Sequence, residues 1–160
     1  MKKLVTLCML SFLTCVAQDP RALIGRLQGN WHMTGSVMSK PVVYNAEGQW
    51  ILDKGFFSLH MKDATTPPTY EATLFIGIDS AKNEFVAHWL DSFGGPGARV
   101  VGLGPLSAEK IEIYYPYPEG RFRNLFIYDS LKDQWKLLIE SEKTNGQWST
   151  FARYDIVMNR

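Results

Sequence analysis

The stretch HWLDSF, residues 88 to 93, sets His88, Asp91 and Ser92 within five positions. These are the residue types from which hydrolases build a base, its orienting acid and a nucleophile. That chemistry needs nucleophile and base within about 3.2 Å of each other. In an extended chain His88 and Ser92 point to one face and Asp91 to the other, and at about 3.3 Å per residue the first two stand roughly 13 Å apart. The three residues cannot form a triad with one another. The stretch reads instead as a strand end: Phe85, Ala87 and Trp89 share one face, and Asp91 and Ser92 accept hydrogen bonds from the turn backbone around Gly94.

Other candidate chemistry is thin. The three histidines, His32, His60 and His88, fall on separate segments. They lack His-x-His spacing, cysteine partners and a recognised carboxylate partner, so no metal site and no cofactor are expected. Gly94-Gly95-Pro96-Gly97 lacks the Lys-Ser/Thr of a phosphate loop and opens no helix, and it reads as a flexible rim loop. In YYPYPEGR, Tyr114, Tyr115 and Tyr117 alternate with Pro116 and Pro118. That is a stiff aromatic strand end, and Tyr115 is a candidate for a barrel lip. Arg123 and Arg153 are the remaining polar candidates. No catalytic residue is assigned.

The elements that must position these residues are strands. Asp19 can cap, and Pro20 can open, one short helix from Arg21 to Leu27, with Gly29 just beyond it. From Asn30 onward, short runs of β-branched and aromatic residues alternate with turn signals. Those signals include Lys40-Pro41, Asp53-Lys54-Gly55, Asp79 to Asn83, Gly94 to Gly97 and Thr144-Asn145-Gly146. Nine breaks delimit ten strands: 31–39, 42–52, 56–63, 69–78, 85–93, 98–104, 110–115, 121–129, 134–143 and 147–158. Apolar residues alternate at Tyr70, Ala72, Leu74 and Ile76, at Trp135, Leu137 and Ile139, and at Phe122, Phe126 and Tyr128 with Asn124 among them. With no helices between the strands, neighbours run antiparallel. Closing ten such strands removes exposed edges. The expected fold is all-β, a single up-and-down barrel of about ten antiparallel strands, wide enough for a cavity.

Composition bounds the setting. MKKLVTLCMLSFLTCVA, residues 1–17, has two lysines, an apolar run from Leu4 to about Leu13 and a small-residue ending, the pattern of a secretory signal peptide. Cleavage after Ala17 fits the small residues at 15 and 17. Acylation of Cys15 as a lipoprotein fits Thr14 and Phe12 poorly. Residues 18–160 are then one exported domain, periplasmic or extracellular, with no transmembrane segment, since a spanning helix needs about 20 apolar residues. Both cysteines, Cys8 and Cys15, fall in the leader, so core burial and not disulfides must hold the fold. Without Lys2 and Lys3 the 17 basic residues become 15, against 16 acidic ones. With no basic cluster, nucleic-acid binding loses its main energetic contribution.

Gly29-Asn30-Trp31, directly after the short helix, resembles the Gly-x-Trp signature of the calycins, the superfamily of lipocalins and fatty-acid-binding proteins. Together with FIGIDSAKNEFVAHWLDSFG and GQWSTFARYD, the chain looks like a family of exported bacterial calycin-like domains of unknown function. In that family a Gly-x-Asp turn, here Gly77 and Asp79, precedes a strand ending Trp-x-Asp-Ser, here Trp89, Asp91 and Ser92. The resemblance implies a β-barrel in which Arg153, on the last strand, packs over the Trp31 indole and closes the floor. A cation over an aromatic face contributes about 0.5 to 2 kcal/mol. Haem-binding nitrobindin-like barrels share the Gly-x-Trp start but ligate iron through a histidine near the C-terminus, whereas the last histidine here is His88. Fatty-acid-binding proteins hold a carboxylate with an Arg-x-Tyr pair, but Arg153 is followed by Tyr154 and then Asp155, so that site is not carried over.

The functional expectation is non-catalytic binding of a small apolar molecule in the barrel, lined by Trp89, Tyr115 and Arg123. The alternative is a ligand-free structural or interaction protein of the cell envelope. Strand register decides which faces line the interior, and a one-residue shift inverts them all.

Overall fold

Backbone polar groups along a run of strands are satisfied only by pairing, and here pairing continues until the last strand meets the first. The computed structural model describes residues 19–159. The expected leader, its cleavage site, Cys8 and Cys15 lie outside the described residues. A short helix α1 (Pro20–Gly25) leads into ten strands: β1 (Gly29–Val37), β2 (Lys40–Ile51), β3 (Phe56–Asp63), β4 (Glu71–Asp79), β5 (Glu84–Asp91), β6 (Val101–Pro105), β7 (Lys110–Tyr117), β8 (Gly120–Asp129), β9 (Gln134–Glu142) and β10 (Trp148–Met158). Each pairs antiparallel with its sequence neighbours, and β1 pairs with β10 to close the barrel, from Trp31 opposite Met158 to Val37 opposite Ala152.

Local chemistry explains most turns. Asp79 and Asp129 end β4 and β8 alike: each carboxylate accepts two backbone N–H groups of its own turn, from Ala81 and Lys82 and from Leu131 and Lys132. One turn differs from the expected Lys40-Pro41. The β1–β2 hairpin turns at Met38-Ser39, both with positive φ (47° and 67°), the two-residue arrangement whose twist matches the strands. Pro41 lies inside β2, opposite Ser36. Next to the closing pair its missing N–H points away from β1, and β3 pairs with β2 only from Tyr44 onward, so no ladder bond is lost.

The helix closes one end. Asp19 caps it by accepting from Arg21 N at 2.9 Å. Regular helix stops at Gly25, earlier than the expected Leu27, and the chain continues in tighter turns, Leu27 N to Ile24 O at 2.9 Å and Gln28 N to Gly25 O at 3.1 Å. Leu23, Ile24 and Leu27 are buried against the floor, a core that includes Trp31, Phe57, Phe126 and Trp135. The Trp31 indole donates to Leu27 O at 2.7 Å and Trp135 to Arg26 O at 3.4 Å. Arg153 does not cover Trp31. It is exposed on the outer face of β10, opposite Ser36 on β1, while Trp31 lies opposite Met158. Cation–aromatic contacts at this end come from the helix segment: Arg21 lies 5.3 Å from the Trp50 ring centroid and Arg26 4.9 Å from that of Tyr128.

The helix rests on Gly48 of β2. A Cβ there would lie 2.0 Å from the Leu27 carbonyl oxygen and 2.9 Å from the Phe57 ring. Because the obstruction is backbone, the helix segment itself would have to lift. Gly48→Ala is expected to lower unfolding free energy by about 2–3 kcal/mol, with red-shifted tryptophan emission. Gly95→Ala, where a Cβ meets nothing within 4 Å, is expected to change stability by less than about 0.5 kcal/mol. Urea denaturation of the two variants checks the pair.

Candidate functional site

The end opposite the helix is open. Inward residues there surround a cavity of about 800 Å³ whose rim is made by the β1–β2 turn, the segment before β4 and the loop after β5. Most of its wall is aromatic: Tyr44, Tyr70, Trp89, Tyr115, Tyr117, Phe122, Phe151 and Tyr154. The rings contact one another around much of the circumference, mostly edge to face or tilted, with Tyr115 and Tyr117 stacked at 5.9 Å. Tyr44 packs against Tyr70 and Tyr154 with centroids 5.9 and 5.8 Å away, and Phe122 against Tyr117 and Phe151 at 5.9 and 5.4 Å. Met38 and Phe93 extend the apolar surface onto the rim, with 69% and 80% of their surface exposed.

Two local features aim these rings. On β10 the register with β9 shifts between Thr150 and Ala152, a bulge at Phe151. The extra residue reverses the alternation, so Phe151 joins the cavity wall while Trp148 sits outside, packed against Tyr114 and the guanidinium of Arg123. On β6, Gly102 leaves space that Tyr115 fills: a Cβ there would be 2.6 Å from Cε1 of the ring.

Trp89 and Tyr115, both expected at the cavity, line it. The Trp89 indole donates to the Tyr70 hydroxyl at 3.3 Å, and that hydroxyl donates to Asp91 Oδ2 at 3.3 Å. Tyr115 is 2% exposed and its hydroxyl has no hydrogen-bond partner. Arg123 does not line the cavity. On β8 it is Phe122, Asn124 and Phe126 that turn inward, which puts Arg123 on the outer face between Glu140 (2.6 Å) and Glu112 (3.3 Å), under Trp148 at 4.6 Å. Burial works against charge on Glu112, but hydrogen bonds from Lys110 and Tyr114 and the charges of Lys110 and Arg123 outweigh it and hold its carboxyl below the ordinary range.

The residues of HWLDSF part company. His88 faces outward with Nε2 2.5 Å from Ala98 O, Ser92 Oγ accepts from Glu71 N at 3.4 Å, and Asp91 lines the cavity. Asp91 also accepts from Phe93 N at 3.0 Å, the strand-end role expected of it. Its place in the wall was not anticipated, although it follows from the parity of Phe85, Ala87 and Trp89. Tyr44, Tyr70 and Phe122 were likewise legible from the inward faces of their strands, whereas Phe151 depends on the bulge. Among the described residues, no group of three or more His, Cys, Asp or Glu is placed to hold a metal ion.

Neither protein-family models nor curated proteins match this chain.

Burial, first of all, pushes the phenols of Tyr70, Tyr115 and Tyr154 above their ordinary value of 10. Asp91 and Tyr44 reinforce the shift at Tyr70, Tyr117 at Tyr115, and Tyr44 and Tyr70 at Tyr154. Below pH 10 these groups are protonated in folded and unfolded chains alike, so the fold keeps its full stability. As pH rises past 10 the unfolded chain ionises first and stability falls. Urea midpoints are expected to hold steady up to about pH 9.5 and to drop steeply between pH 10 and pH 12, with the 295 nm phenolate absorbance of these residues rising only as the barrel opens. Tyr115→Phe, which removes that hydroxyl, is expected to leave the unfolding free energy at pH 8 unchanged or raise it by about 1 kcal/mol.

Proposed function

We propose that this chain is a non-catalytic binder of a small, largely apolar molecule, held in the open half of a calycin-like barrel. The observation that carries the reading is the cavity itself: about 800 Å³, open at one end, walled mostly by aromatic rings. Ligand sites typically occupy about 300–1,000 Å³ with a few polar groups on an apolar wall. An unfilled cavity of that size costs stability through lost packing, and a bound apolar molecule restores the contacts. His88, Asp91 and Ser92 face three different surroundings, which supports binding over hydrolysis. The leader-like residues 1–17 support an exported setting.

Native mass spectra of the purified protein before and after organic extraction test the reading. The expected result is an extra mass lost on extraction, or, for a bare chain, uptake of a neutral apolar fluorophore at micromolar concentration. Val42→Trp, which places an indole in the mouth, is expected to weaken that uptake at least tenfold while the thermal midpoint moves by only a few degrees. A bare chain that takes up no fluorophore sinks the proposal and favours a ligand-free structural or interaction role.

A further inference from the structure

The cavity wall is neutral almost throughout, and the exception has a definite place. Asp91 is the one carboxylate and Lys40 the one cation among the described residues lining it. Lys40 is exposed at the rim, at the end of the β1–β2 turn. Asp91 is half-buried and projects from β5 two residues beyond Trp89, on the same face. No lysine, arginine or histidine pairs with it among the described residues. Its hydrogen bonds are one from Phe93 N to Oδ1 and one from the Tyr70 hydroxyl to Oδ2, which leaves carboxylate lone pairs open.

What surrounds this charge is aromatic. Trp89 is fixed through its indole N–H to Tyr70, Tyr70 packs on Phe93 with centroids 5.5 Å apart, and Tyr117 lines the same cavity. Tyr117 is close enough for the Asp91 charge, after burial, to push its phenol up. Ring faces carry negative electrostatic potential, attracting cations and repelling anions. A carboxylate without a cationic partner, set among aromatic rings that line the same cavity, is an arrangement suited to an organic ammonium.

Resting on the binding reading above, we propose that the ligand is an apolar amine or quaternary ammonium compound, its cationic head against Asp91 within the aromatic group of Tyr70, Trp89, Phe93 and Tyr117, and its apolar body in the depth of the barrel. Lys40 at the rim disfavours a second positive charge on the ligand and leaves the deeper Asp91 as the cation site.

Displacement of bound N-phenyl-1-naphthylamine, a neutral fluorophore, by three ten-carbon compounds tests this: decyltrimethylammonium, 1-decanol and decanoate. The expected result is displacement by the ammonium compound at concentrations at least tenfold below either of the others, with the ammonium-to-alcohol preference falling below threefold in Asp91→Asn. The wild-type preference is a test in itself, independent of whether the variant folds. Failure of the fluorophore to bind defeats the apolar-binding reading and this inference with it. Fluorophore binding with no preference for the ammonium compound, or a preference that survives Asp91→Asn, overturns the amine alone. Preference for decanoate overturns it in favour of an anion held by Lys40.

Discussion

Ten strands closed into a barrel enclose more space than their inward side chains fill. Here the strands solve the problem at one end only. The turn after α1 lays Leu27 on the bare backbone of Gly48, and Leu23, Ile24 and Leu27 complete a floor with Trp31, Phe57, Phe126 and Trp135. Gly48 makes that approach possible, because a single Cβ would occupy the place of the Leu27 carbonyl oxygen. The indoles of Trp31 and Trp135 then satisfy carbonyls at the end of the short helix, which regular helix geometry leaves without partners.

With the floor filled, the remaining volume collects at the other end. Its wall is built from large rings that stiffen one another by edge contacts, so the space stays open without depending on charge. The outer surface shows the opposite economy. Arg121 and Arg123 bridge Glu142, Glu140 and Glu112 across β7, β8 and β9, and Trp148 lies over both guanidinium groups. Charge is placed on the outer face, where neighbouring strands share it in ion pairs, while among the described residues lining the cavity Asp91 is the one carboxylate. The bulge at Phe151 joins the two surfaces, since one added residue sends Phe151 inward and Trp148 outward.

Much of this was legible in the chain. Alternation at Tyr70, Ala72, Leu74 and Ile76 and at Trp135, Leu137 and Ile139 places those residues inside, where they are found. The ten segments and most turn signals matched their strands to within a few residues, because Gly, Asn, Asp and Pro act through local backbone geometry. Trp89 and Tyr115 reach the cavity wall for the same reason: each lies on the large, apolar side of its strand.

Arg123, Arg153 and Phe151 were not legible, and the reason is common to all three. A residue's type and spacing determine which neighbours share its face, and so the chain by itself determined an all-β fold, its segments and the grouping of its faces. Which face points inward, where a bulge reverses the alternation, and which cation covers which ring depend on pairing between distant segments. Only closure of the barrel decided that Arg123 and Arg153 lie on the outer face, that Arg21 and Arg26 supply the cation–aromatic contacts at the floor, and that Asp91 shares the cavity with Trp89 and Tyr70. These outcomes are set by the register of strands against one another and by the volume left over after the helix is seated, and neither quantity is local to any stretch of sequence.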